Sequence, residues 1–195
     1  MKFPLIRTMA VGMLALAPIV STAQDAPPDQ SNYGSKDAEA DAAKTLIVDE
    51  VPGYGGVKFG AALPDSGFTL EQDRGKVKIY VKKGESLLMG PALLETVLYY
   101  VLDGKLYAVA FHTNDGQDSL ALKSVFINGF GQGEDSKDSS PTTVWIGKKN
   151  GLIFDLNTST GDGSAFLFDH KLHDLYLADQ SDTAKAAAQK LIQGK

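Results

Sequence analysis

Residues 96–113 read Thr96-Val97-Leu98-Tyr99-Tyr100-Val101-Leu102-Asp103-Gly104-Lys105-Leu106-Tyr107-Ala108-Val109-Ala110-Phe111-His112-Thr113. Two runs of β-branched, aliphatic and aromatic residues flank Asp103-Gly104, a pair that accepts the positive φ of a two-residue hairpin turn. The spacing predicts an antiparallel hairpin: a strand within Leu93–Leu102 and a return strand over Lys105–Thr113. Side chains alternate between the faces of a strand. Alternation puts Tyr107, Val109 and Phe111 on one face of the return strand and Leu106, Ala108, Ala110 and His112 on the other. The adjacent Tyr99 and Tyr100 then face opposite ways, and one of them is a candidate exposed contact residue.

Working outward, Lys76–Lys82 alternates polar and apolar residues, the period of a half-buried strand, and Ser86–Met89 reads as a short one. After the hairpin, Asn114-Asp115-Gly116 leads into a helix, with Asp115 or Asp118 as cap. Leu122, Val125 and Phe126 recur at helical spacing, and Gly129 and Gly131 stop the run. A second β block follows: Thr142–Gly147, a turn at Asn150-Gly151, Leu152–Leu156, a polar loop, and Ser164–Phe168. Leu172, Leu175 and Tyr176 mark a short amphipathic turn. Ser181 or Asp182 then caps an Ala-rich helix over Thr183–Gln193. The expected fold class is α+β: an antiparallel sheet built from hairpins, with one central helix and a C-terminal helix packed on it. Both helices are expected on one face. Each block joins a hairpin to a helix, the outline of a diverged repeat, without residue-level similarity between the halves.

The chain has 195 residues and no cysteine. That excludes disulfides, thiolate zinc sites, iron–sulfur clusters, attached haem, a cysteine nucleophile and an N-terminal lipid anchor. The 24 acidic residues outnumber 19 basic ones, for a net charge of −5. Such a chain is poorly suited to nucleic acid or anionic lipid. No cofactor motif stands out. Gly129-Phe130-Gly131-Gln132-Gly133 follows a helix, whereas a dinucleotide loop follows a strand.

The N-terminus carries the clearest signal. Lys2 and Arg7 precede an uncharged, mostly apolar run, Met9–Val20, and then Ser21-Thr22-Ala23. This is the pattern of a secretory leader cleaved after Ala23. The run is about 12 residues, whereas a spanning helix needs about 20. Residues 1–23 are therefore read as a signal peptide, 24–56 as a flexible N-terminal segment, and 57–195 as one α+β domain. The periplasm is the expected destination, with full secretion as the alternative. No later segment is long and apolar enough to span a membrane.

Three groups of residues invite a chemical reading. His170 and His173 stand three apart in Asp169-His170-Lys171-Leu172-His173-Asp174, so on a helix they share a face. With Asp174 they form a candidate metal set, and Asp169 is a further ligand or orienting group. Asp155, Asn157, Ser159 and Gly161 alternate like calcium ligands. Thr160 and Phe166 nevertheless occupy the places of the required Gly and Glu, so the segment reads as a hairpin loop. Ser164 lacks the Gly-x-Ser-x-Gly elbow of hydrolases, and a Ser–His–acid site would have to recruit His112, His170 or His173.

Phe59-Gly60, Tyr100–Val109 around Asp103-Gly104-Lys105-Leu106, Gly129-Phe130-Gly131, Trp145 and Leu152–Asp155 together resemble the layout of uncharacterised exported bacterial α+β domains. The resemblance implies an exported α+β domain and carries no activity with it. The expected function is a non-catalytic periplasmic binding module, an accessory subunit or protein-interaction factor with a protein partner. The alternatives are a metal-binding protein or small hydrolase centred on His170 and His173, and a carrier of a small apolar ligand.

Overall fold

The computed structural model describes residues 48–136 and 141–192. The expected leader, its expected cleavage point after Ala23 and the rest of the chain up to residue 47 lie outside the described residues. The described chain runs β1 (Gly53–Tyr54), β2 (Val57–Lys58), β3 (Phe68–Arg74), β4 (Val77–Lys82), β5 (Leu88–Met89), β6 (Ala92–Leu93), β7 (Thr96–Leu102) and β8 (Lys105–Thr113). It continues with helix α1 (Gly116–Phe130), β9 (Glu134–Asp135), β10 (Thr142–Ile146), β11 (Asn150–Leu156), β12 (Gly163–Asp169) and helix α2 (His170–Ile192). Eight strands form one antiparallel sheet in the order β3-β4-β7-β8-β12-β11-β10-β9. β1–β2 and β5–β6 are separate two-stranded hairpins. The α+β sheet of hairpins, with an internal helix and a C-terminal helix packed on it, is the architecture the sequence predicts.

The central hairpin turns at Asp103 (φ 47°) and Gly104 (φ 80°), both left-handed as the Asp-Gly pair requires. Its alternation is broken once. Tyr99 pairs with Val109 and Tyr100 with Ala108, but Val101 pairs with Leu106. Tyr107 is therefore the extra residue of a β-bulge, which turns the chain over locally. The bulge overturns the expected facing: Leu106 joins Val109 and Phe111 in one core, while Tyr107 and Ala108 join the other.

The two helices lie on opposite faces of the sheet, not on one. Leu122 and Phe126 of α1 pack with Val97, Val109, Phe111 and Leu167. Leu172 and Tyr176 of α2 pack with Tyr107, Ala108 and Phe168. Leu167 and Phe168 are consecutive, so their side chains leave the strand on opposite faces. The strand order reads the same outward from the β8–β12 seam in both directions, as a repeat would. The opposed helices do not follow that symmetry.

α1 begins as expected. Asp115 Oδ1 accepts from the Asp118 N–H at 2.8 Å, and Gly131 (φ 81°) closes the far end. Ser119 ties this helix start to the sheet: its Oγ lies 2.7 Å from the Thr113 hydroxyl and donates to the Gly161 carbonyl at 2.7 Å. α2 is one helix with no break at Ser181-Asp182. Its cap is Asp169, whose Oδ1 accepts from the Leu172 N–H at 2.9 Å.

Asn150-Gly151 is not the second turn, because both residues lie in β11, where Gly151 pairs with Ile146. The turn is built over Gly147–Asn150 by a distant group. The Asp49 carboxylate accepts the N–H groups of Lys148 (2.8 Å), Lys149 (2.7 Å) and Asn150 (3.1 Å). The Asn150 side chain in turn donates to the carbonyls of Val48 and Val51. Val48 is buried in the α1-side core. Within the segment assigned by composition as flexible, Val48, Asp49 and Val51 are thus hydrogen-bonded to the β10–β11 turn, and Tyr54 packs edge-on against Phe111.

Tyr99 and Tyr100 do face opposite ways. Tyr99 is fully buried on the α1 side, and its hydroxyl donates to Glu85. Burial, then the Glu85 carboxylate, holds that hydroxyl far above the ordinary phenol range. Tyr100 is partly exposed on the α2 side.

Candidate functional site

The strand register arranges the α2-side face in three cross-strand rows. The first is Ile146–Gly151–Phe168–Ala108–Tyr100–Ile79, and α2 lies against its Phe168–Ala108 stretch. The second is Val144–Ile153–Phe166–Ala110–Leu98, with an apolar side chain from each of five adjacent strands. The third is Thr142–Asp155–Ser164–His112–Thr96, which is polar throughout. In the second row only Ala110 is buried; the other four remain partly exposed. An apolar row left half-open beside an ordered helix is the principal surface feature of this face.

α2 covers so little because it is docked over its first turns alone. Leu172, His173, Tyr176 and Asp179 are partly buried, whereas residues 180–189 are all exposed. Leu175 and Leu177 are 55% and 50% exposed. Asp179 pairs with Lys76, which lies in the β3–β4 turn. Isolated helical turns of this length are marginal in water, so α2 holds its first half by packing and its second half by propagation and alanine content.

His170 and His173 both sit in the docked part, on the sheet side. The His173 ring is surrounded by aromatic rings: Phe168 at 4.5 Å, Phe166 at 5.8 Å, Tyr176 at 6.0 Å and Tyr107 at 6.3 Å, the last nearly parallel. The His170 ring meets Phe168 edge-on at 5.1 Å, and its backbone N–H donates to the Lys149 carbonyl at 2.8 Å. Nε2 of His170 and Nδ1 of His173 are buried without a hydrogen-bond partner. Burial holds the His173 imidazole below its ordinary pKa; Asp174 opposes that shift and His170 adds to it. Asp169 is engaged as the helix cap, and Asp174 is exposed. Among the described residues, no three His, Asp or Glu side chains are grouped to hold a metal ion. Both imidazoles lie against the Phe168 ring, with His173 inside an aromatic cluster.

The third row contains a juxtaposition that spacing alone does not reveal. Ser164 pairs with His112 across β12 and β8, and Asp155 flanks Ser164 on its other side. Burial lowers the His112 pKa, with Glu95 opposing. No hydrogen bond joins the Ser164 hydroxyl to His112, and Asp155 accepts instead from the Thr142 hydroxyl at 2.5 Å. In the 157–162 loop, Asn157 Oδ1 accepts from the Ser159 N–H at 3.0 Å, so this side chain serves the turn.

No family model matches the chain, and neither a curated protein nor a solved structure matches it.

Proposed function

We propose that this chain is an exported, non-catalytic binding module that engages a protein partner through the open row Val144–Ile153–Phe166–Ala110–Leu98. The observation that carries the reading is the row itself: five consecutive strands contribute apolar side chains, four of them partly exposed. Apolar surface of this kind gains roughly 25 cal/mol for each Å² removed from water, so a partner on this face has a driving force. The sheet edges favour a face-on partner. β3 is interrupted by a bulge at Glu71 and carries Asp73 and Arg74, and β9 is two acidic residues long. Short, charged or bulged edges discourage an added strand. Export rests on the basic, apolar and small-residue segments of residues 1–23.

The test is site-specific photo-crosslinking in the native host. A photoreactive residue at Val144 or Ile153 is compared with one at Leu120, which is exposed on α1 on the opposite face. A discrete cross-linked species at the first two sites and not at Leu120 is expected, and Ile153→Lys should abolish it from Val144. Native mass spectrometry of the purified chain then distinguishes a protein partner from a small apolar ligand by the added mass. Equal labelling at all three sites would refute a binding surface on this face.

A further inference from the structure

The docked half of α2 is fastened to the sheet by rings whose polar atoms are unsatisfied. His173 lies among Tyr107, Phe166, Phe168 and Tyr176, and both its Nδ1 and the Nε2 of His170 are buried without a partner. A protonated imidazole carries an N–H donor on both nitrogens and a charge, and at the buried Nδ1 of His173 the surrounding rings offer no acceptor. We propose that α2 is a pH-released element: protonation of His173 frees the helix from the sheet in mild acid while the sheet and α1 stay folded.

The groups around His173 support that direction. From α2 itself come His170, Asp174, Tyr176 and Asp179; from β12 comes Asp169; from β8, Tyr107; from β7, Tyr100; from β3, Arg74, whose charge acts on Tyr100 and Tyr107. Lys76 of the β3–β4 turn is engaged with Asp179. Asp169 is committed to the Leu172 N–H, and Asp174 is exposed. His170 disfavours a further positive charge on His173. The aromatic faces attract a cation, which mitigates but does not replace a missing hydrogen-bond acceptor at Nδ1. The sign follows: the group is held neutral when docked and titrates normally when released. Docking is therefore complete above about pH 6.5 and weakens as the pH falls below it. The opening equilibrium rises up to about tenfold per pH unit for the one imidazole that must take up a proton.

Release would extend the open row by Phe168, Ala108 and Tyr100. That consequence rests on the binding reading above, whereas the switch itself is measured without a partner.

The experiment is hydrogen exchange of the full chain at pH 7.5 and pH 5.5, corrected for intrinsic exchange, with amides 172–180 compared with those of β8 and α1. Faster opening of 172–180 at pH 5.5, by up to about tenfold, with β8 and α1 unchanged, is expected. His173→Phe keeps a ring and should remove the dependence. Unchanged protection of 172–180 in the native chain would overturn the proposal, as would the same pH dependence in His173→Phe. If that variant does not fold, the imidazole resonances of the native chain decide. His173 titrating at or above the ordinary histidine value refutes the switch; titration below it, together with loss of α2 protection, upholds it.

Discussion

Replacing Asp49 with Ala tests whether the chain ahead of β1 is part of the folded unit. The carboxylate accepts three backbone N–H groups, from Lys148, Lys149 and Asn150, at 2.8, 2.7 and 3.1 Å. Lys148 and Lys149 are exposed, so water replaces part of what is lost, and each bond is worth about 1 kcal/mol. The expected loss is about 3 kcal/mol, or roughly 6–12 °C in Tm for a domain of this size. Asp49→Asn keeps one acceptor oxygen and should cost less. Trp145 is the sole tryptophan and is buried against Phe126, with its indole N–H donating to the Gly131 carbonyl at 2.8 Å. Its fluorescence therefore reports urea and thermal unfolding. The pH dependence supplies an independent check. Burial raises the Asp49 pKa, but the three backbone N–H groups and the Lys149 charge outweigh it, so the net shift is downward. A carboxylate lowered in the folded state contributes its stability above the unfolded value near 3.9 and loses it as the pH falls through the folded value. The gap between native and Asp49→Ala chains should be constant from pH 8 to about 4.5 and shrink below that. A loss under about 0.5 kcal/mol, or a gap that persists unchanged in strong acid, would refute the clamp.

Gly163→Ala places a methyl 2.7 Å from both the Thr113 and Ser119 hydroxyl oxygens, so about 1–3 kcal/mol should be lost in urea unfolding, with α1 loosened in hydrogen exchange. Phe126→Ala removes a ring 5.9 Å from Trp145 and should cost about 3–5 kcal/mol, with a visible change in native Trp145 emission. Asp103→Gly should be neutral or slightly stabilising and Asp103→Val should cost about 1–2 kcal/mol, because φ is +47° there; calorimetry decides. Ala187→Gly, in the exposed half of α2, should speed local amide exchange by an amount corresponding to about 1 kcal/mol and leave the Trp145-monitored transition in place.

What the sequence determined by itself were the features set by a few neighbouring residues. Asp103-Gly104 specified the central turn because only such residues sit easily at positive φ. Asp115 and Gly131 bounded α1 because a cap acts on N–H and C=O groups within one turn. Alternation over Lys76–Lys82 marked a strand with one face buried on the core. β3 left no such mark. At the sheet edge all its residues but Phe68 are exposed, so pairing with β4 holds it without an apolar pattern. Tertiary structure decided the rest, through contacts far apart in the chain. The bulge at Tyr107 reversed which residues share a face, and no local rule announces an extra residue in a ladder. Asn150-Gly151 has the composition of a turn, yet Asp49, about a hundred positions earlier, organises the turn before it and draws Asn150 into β11. His170 and His173 were legible as a helical pair, but only packing showed that both meet Phe168 and that four rings surround His173. The face chosen by each helix, and with it the apolar row left open, follows from where the last strand of each block meets the sheet seam. That is a property of the assembled sheet, which no segment of the chain contains alone.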